Sequence, residues 1–159
     1  MTNVAGRRRL VKSLTNPLAG RPRPIGDLMR EAHRRLVQHL DRALREDGWT
    51  DVKAPHASVL ATVDMDGSRL AVLVDRGGRT KQATAELTGH LVAAGYLRLV
   101  PDPTDRRAKL YVPTKRGIAL LDSCERIVTA YEKWLDDAVG RNAVEQLRET
   151  LIAIVSHED

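Results

Sequence analysis

Phenylalanine is absent from this 159-residue chain, and two tryptophans and three tyrosines are its whole aromatic content. Single-strand nucleic-acid binders stack bases on aromatic platforms, so that mode of binding is not expected. Cysteine is nearly absent too. Cys124 stands alone, which excludes an intrachain disulfide framework. It falls on an apolar helical stripe with no charged neighbour placed to lower its pKa, and reads as a packed thiol rather than a redox sensor. No apolar run reaches about 18 residues, so a membrane span is not expected. The N-terminal arginines lead into no continuous apolar segment of the secretory kind, and the expected location is the cytoplasm. His33, His39, His56, His90 and His157 never stand three or four residues apart, so no helix carries a local zinc pair. A phosphate-binding glycine loop, a nucleophile elbow and an HExxH run are all missing, so neither an enzyme nor a cofactor is expected.

What is present is positive charge, unevenly placed. The net charge is +5 and the pI about 9.7, which suits a polyanionic partner. Residues 1–35 carry +7, residues 36–117 carry +3 and residues 118–159 carry −5. The acidic end is therefore not the face for DNA. A hydrophobic fraction of 42% in one domain-sized chain leaves enough apolar surface for a sizeable core.

Periodicity divides the chain into helices and one hairpin. Ile25, Leu28, Met29, Ala32, Leu36, Leu40 and Leu44 mark a long helix closing at Gly48, and a shorter one follows Pro55 through Val59, Leu60 and Val63. Leu70 to Arg76 is a short helix broken by Gly77 and Gly78. Thr80 then stands as an N-cap for Lys81 to Ala94, with Gly95 just past the end. The stripe Ala83, Leu87, Leu91, Ala94 is expected to face inward, leaving Lys81, Gln82, Ala85, Glu86 and Gly89 outside. Small and polar side chains at a helix N-terminus permit entry to a major groove, where Lys81 and Gln82 can donate to phosphates and bases. An ordinary solvated helix face would look the same.

Leu97 to Pro101 and Ala108 to Pro113 alternate as strands, with Leu97 and Leu99 against Arg98 and Val100, and Leu110 and Val112 against Lys109 and Tyr111. Asp102, Pro103, Thr104 and Asp105 turn the chain and push Arg106 and Arg107 toward solvent. Such a tip fits a DNA contact and also a plain solvated turn. Thr114 is expected to cap the next helix, placing Lys115 and Arg116 where positive charge opposes the helix dipole; a DNA phosphate there would offset this. Leu120, Leu121, Cys124, Ile127, Val128, Tyr131, Trp134 and Leu135, then Val144, Leu147, Leu151, Ile154 and Val155 after Gly140, give two more long stripes. Three such faces exceed what one small winged domain covers, which points to a partner chain.

Helix, tight turn, helix and basic-tipped hairpin in this order resemble the multiple antibiotic resistance regulator (MarR) family of winged helix-turn-helix proteins. The match is carried by Asp102, Asp105, Arg107, Thr114 and Gly117, spaced as in the family's wing signature, and by Thr80-Lys81-Gln82-Ala83, similar to a common opening of its recognition helix. It spans about residues 25–157. The chain differs where the family often has arginine (Thr104), an arginine or other polar donor (Glu86) and aliphatics (Thr84, Thr88), the last predicting a thinner junction between recognition helix and core.

The resemblance implies a mainly α fold with a small β-hairpin wing: a basic arm over residues 1–24, a winged helix-turn-helix over about 53–113, and dimerisation helices over about 25–48 and 114–157. It further implies a homodimeric, sequence-specific binder of double-stranded DNA, a repressor that a small-molecule effector could relieve. The expected DNA-facing set is Arg79, Thr80, Lys81, Gln82, Thr84, Ala85, Arg106, Arg107, Lys109 and Lys115. Asp102 and Asp105 would orient the wing, Asp105 by a salt bridge to one tip arginine. An effector cleft would draw on the first, second and fifth helices, around Met29, His33, Trp49, His56 and Val59. Residues 1–24, rich in Arg, Pro and Gly without periodicity, read from their composition as a plain flexible terminus, in which Arg7, Arg8, Arg9 and Lys12 could add phosphate contacts. A dimeric protein-interaction module and a non-specific architectural DNA binder remain the competing readings.

Overall fold

The computed structural model describes residues 22–105 and 107–157; the arm residues Arg7, Arg8, Arg9 and Lys12, and the wing-tip Arg106, lie outside the described residues. Helix α1, Ile25–Glu46, carries Asp27 in its first turn and Arg45 in its last, each complementing the helix dipole. Glu31 braces it by pairing with Arg34 at 2.7 Å and Arg35 at 2.8 Å. The helix stops where Gly48 takes a φ of +92°, which lets the Trp49 N–H return to the Leu44 carbonyl at 2.9 Å.

Two short helices and a capped one follow. Helix α2, Ala54–Leu60, is tied to α1 by the Ala54 N–H donating to the Asp41 carboxylate at 2.6 Å. Helix α3, Leu70–Gly77, ends at Gly78 in the left-handed region, φ +57°. Thr80 then caps α4, Lys81–Ala93, its hydroxyl accepting from the Ala83 N–H at 3.2 Å. The buried line of α4 is Thr84, Thr88 and Leu91, with Ala83 and Leu87 only half-buried. The inward face is thus rotated from the expected stripe. Both threonines donate back along the helix, Thr84 to the Thr80 carbonyl at 3.1 Å and Thr88 to the Thr84 carbonyl at 2.9 Å, so their methyl groups go into the core without an unsatisfied hydroxyl.

Strands β1, Leu97–Pro101, and β2, Lys109–Pro113, form one antiparallel hairpin with Leu97 opposite Pro113, Leu99 opposite Tyr111 and Pro101 opposite Lys109. Directly opposed residues share a face. Leu97 and Leu99 therefore lie on the side opposite to Leu110 and Val112, so each face of the hairpin takes its leucines from one strand. Only the base is covered: Leu97 and Val112 are buried, while Leu99 is 41% exposed. A hairpin projecting from a body can cover only its root. Ser68 extends that root by exchanging two backbone hydrogen bonds with Tyr111 at 2.9 and 3.0 Å. Gly67 precedes it with φ +110°, and a Cβ there would stand 2.8 Å from a Val112 methyl.

The long helices α5, Lys115–Val139, and α6, Arg141–Ser156, close the chain, separated by Gly140 at φ +89°. No described helix is long and apolar enough to cross a membrane. One core joins the elements: Leu44 of α1, Val59 and Leu60 of α2, Leu73 of α3, Leu91 of α4, Tyr96, Leu97 of β1 and Leu120 of α5. The junction of α5 with β1 is the tightest point. Thr114 caps α5 by accepting from the Gly117 N–H at 3.1 Å and donates to the Gly95 carbonyl at 2.6 Å, while its own N–H reaches the Tyr96 carbonyl at 3.0 Å. Gly117 faces that carbonyl so closely that any Cβ would overlap it.

Gly117→Ala is accordingly expected to destabilise the fold by about 1–3 kcal/mol, the usual range for overpacking, read as a lower urea midpoint at unchanged m value. Gly89 on α4 has nothing within 4 Å of its would-be Cβ. Gly89→Ala should raise the same midpoint, by about 0.5–1 kcal/mol from helix propensity alone.

Candidate nucleic-acid interface

The capped N-terminus of α4 presents Lys81, Gln82 and Glu86 to solvent. Lys81 has no carboxylate partner among the described residues. Gln82 does have one: its Nε2 donates to Glu86 Oε1 at 3.0 Å, one helical turn on. Three neighbours depart from the expected DNA-facing set. Thr84 is buried at 1% exposure with its hydroxyl spent on the helix backbone, so it cannot reach a base. Ala85 is half-buried. Arg79 turns back into the protein, donating to the Gly77 carbonyl at 3.3 Å and the Ser58 hydroxyl at 3.2 Å. It fastens the turn between α3 and α4 to α2, and Thr80 is engaged as the cap.

At the hairpin, Asp102 is 5% exposed and acts as an anchor. Its carboxylate accepts from the Thr104 hydroxyl at 2.7 Å, the Thr104 N–H at 2.8 Å and Arg69 Nε at 2.6 Å. Thr104 thereby takes a turn-stabilising role where a further arginine would have reached outward. The Thr104 hydrogen bonds come first, and the Arg69 guanidinium second, in holding the Asp102 carboxyl down to about 2. Arg69 stands at the N-terminal edge of α3, so this contact joins helix-turn-helix and wing. It escaped the sequence reading; an arginine at the position where a helix would normally carry a short capping side chain was the available signal.

Asp105 does not orient Arg107 by the expected salt bridge. Its carboxylate accepts instead from the Arg107 backbone N–H at 3.0 Å, and its carbonyl from the Ala108 N–H at 2.9 Å. The acid shapes the turn. Arg107 and Lys109 are left exposed along the tip and β2.

Of the two cations opening α5, only Lys115 is free for an anion. Arg116 lies over the Tyr96 ring at 4.4 Å and donates to the Ala94 carbonyl at 2.9 Å, Asp51 at 2.8 Å and the Tyr96 hydroxyl at 3.0 Å. It offsets the exposed carbonyl end of α4. Tyr96 donates to Asp51 at 2.6 Å. Burial, reinforced by that carboxylate, pushes the phenol up to about 12. The Tyr96 hydroxyl and then Arg116 hold the Asp51 carboxyl below its ordinary range.

Met29, His33, Trp49, His56 and Val59 do not surround one cleft. Met29 and His33 are exposed on α1, Val59 is core at 1% exposure, and Trp49 lies half-buried with its ring 6.0 Å from Tyr96. His56 stacks on His90 of α4 at 4.3 Å between ring centres; burial, then the neighbouring ring, presses its pKa below the ordinary value. A cavity of about 170 Å³ opens instead between Leu40 and Leu44 of α1, Ala57 and Ser58 of α2, and Cys124, Ile127 and Val128 of α5. Its walls are almost wholly apolar, and burial pushes the Cys124 thiol up.

Residues 50–108 match the sequence profile of the MarR family. No curated protein sequence matches the chain. Among solved structures, the fold is similar to CouR from Rhodococcus jostii bound to p-coumaroyl-CoA, with a TM-score of 0.70 and 24% identity over 86% of this chain and 95% of that one. A mutant MarR from E. coli complexed with operator DNA gives 0.72 and 21%, covering 82% and 93%. The MepR–DNA complex of S. aureus gives 0.72 and 20%, covering 84% and 97%.

The Asp102 anchor makes the wing acid-sensitive in a defined window. Its folded pKa is depressed to about 2, so its contribution is complete above the unfolded value near 4 and is lost as pH falls from about 4 to about 2. The protection factors of the Thr104 and Ala108 amides, taken against the intrinsic exchange rate at each pH, should fall across that window in the wild-type chain. In Asp102→Asn they should already be low at pH 5 and change little below it.

Proposed function

From the match of residues 50–108 to the MarR family and the shared winged-helix fold, we propose that this chain is a MarR-family DNA-binding transcription regulator that works as a homodimer and represses its target. The observation that carries the reading is the Arg69–Asp102 contact, which ties the base of the wing to the helix-turn-helix. It lets the Lys81 end of α4 and the Arg107 tip move as one unit. On that frame α4 enters a major groove with Lys81 and Gln82, and the exposed Arg107 and Lys109 reach the adjoining backbone and minor groove, where a narrow A·T-rich groove attracts guanidinium. Lys115, at the N-terminus of α5, supplies a further phosphate contact. The similar folds of E. coli MarR with operator DNA and of MepR with DNA support this placement.

Homodimerisation is supported by the apolar faces that one chain leaves open. Leu28 and Met29 on α1, Trp134 and Val139 on α5, and Leu147, Ile152, Ile154 and Val155 on α6 are all exposed, Val155 at 83%. Patches of this extent on three neighbouring helices call for a partner surface. A second copy would cover them and bring two α4 helices to one DNA face. Relief by a small molecule is supported by the apolar cavity between α1, α2 and α5, and by the bound p-coumaroyl-CoA of the similar CouR fold.

Selection of duplexes from a random pool, followed by titration against salt, tests the regulator reading. A palindromic product bound far more tightly than random duplex is expected. A steep salt slope without sequence preference would instead mark an architectural binder, and no binding an interaction module. On the selected site, Lys81→Ala should weaken all sequences alike and flatten the salt slope by about one, while Arg107→Ala should cost about tenfold in affinity. Ile154→Glu should shift the sedimentation coefficient from dimer to monomer; a wild-type chain that sediments as a monomer overturns the dimer.

A further inference from the structure

On the outer face of α4, Glu86 is an acid pointed at the region where a phosphate-rich ligand is proposed to bind. An unpaired carboxylate there repels phosphate and can accept only from a cytosine amine. It is, however, engaged by the Gln82 amide at 3.0 Å, and no cation pairs with it among the described residues. The backbone beneath both residues is firmly set by the Thr80 cap and by the back-bonded Thr84 and Thr88. Arg79, the nearest arginine in sequence, is committed to Gly77 and Ser58 and does not compete for the acid.

Resting on the DNA-reading role of α4, we infer that Glu86 is a positioning residue that sets base preference by fixing the Gln82 amide. A glutamine amide can otherwise rotate to present either edge. A carboxylate accepts only, so it must face Nε2, and Gln82 Oε1 is turned to the other side. With one Nε2 hydrogen spent on Glu86, Gln82 offers a groove one acceptor and one donor. Adenine needs that combination, a donor for N7 and an acceptor for its N6 amine. Guanine presents two acceptors, N7 and O6, and would face one remaining donor beside an oxygen and a carboxylate. The pair therefore selects adenine and rejects guanine at the base facing Gln82.

The experiment is selection from a random duplex pool with the full wild-type chain, Gln82→Ala, Glu86→Ala and Glu86→Gln, with thermal melting to verify folding of each. Gln82→Ala locates the position, as the column where preference is lost. Wild type should favour adenine over guanine there by roughly ten- to a hundredfold, the range for a well-formed bidentate contact. Glu86→Ala should reduce that ratio to within about threefold while the other columns keep theirs. Glu86→Gln can both donate and accept, so it no longer enforces one orientation and should also weaken the preference at that column, with tighter binding to every sequence because a negative charge is gone. A preference in Glu86→Ala equal to wild type overturns the inference and leaves the regulator reading standing. A loss in Glu86→Ala or Glu86→Gln that spreads over all columns instead of the one Gln82 reads also overturns it, since charge and not amide orientation would then be at work. A wild-type chain that enriches no sequence overturns the regulator reading and this inference together.

Discussion

The seating of helix α5 on the residue that starts the wing is the constraint on which the rest of the molecule depends. The Tyr96 carbonyl receives the Thr114 N–H and lies against the Cα of Gly117, while the Tyr96 hydroxyl is gripped by Asp51 and Arg116. Tyr96 is itself fully buried. One residue thus meets the loop before α2, the end of α4, the root of β1 and the first turn of α5. Any tilt of α5 must be felt at α4 and at the wing, because no side chain cushions the contact at Gly117.

Polar groups near that surface divide into those that hold and those that are offered. Arg69, Arg79 and Arg116 are all engaged by internal acceptors, Asp102 holds Arg69 and the Thr104 turn, and Asp105 caps the backbone of the tip. Among the described residues, those offered outward include Lys81, the Gln82–Glu86 pair, Arg107, Lys109 and Lys115. A count of basic residues therefore overstates what is available for contact, since a guanidinium that already satisfies two or three acceptors loses those bonds if it turns to a phosphate. On the proposed reading, the net charge of the region would draw DNA in and the free groups would decide what is read.

The helix-turn-helix and hairpin were legible because each boundary has a chemical marker. Gly78, Thr80, Gly95, Thr114 and Gly140 stand at the turns where the observed helices stop and start. Less legible was which way each face turns. The α4 stripe was placed through Ala83 and Leu87, yet Thr84 and Thr88 go inward, because a threonine bonded to its own helix behaves as an aliphatic residue. Two-residue alternation in the hairpin likewise assumed a covered face that a projecting two-stranded ribbon does not have. The residues grouped around an effector cleft scattered, for whether a half-apolar helix residue points into a cavity, a core or solvent depends on the neighbouring helix.

Local chemistry in the chain determined the helices, their caps, the turn of the wing and the excess of positive charge over the first three-quarters. Those features follow from backbone preferences and composition within a few residues, and no distant contact can rewrite them. Tertiary structure decided the partners: that Arg69 meets Asp102 thirty-three residues away, that His56 stacks on His90, that Gly117 must stay bare beneath Tyr96, and that Arg79 and Arg116 are brackets rather than contacts. A side chain's donors and charge are written in its identity. Whether they are spent inside the protein or kept for a ligand depends on what the fold brings within about 3 Å, and that distance is set only when remote segments are packed together.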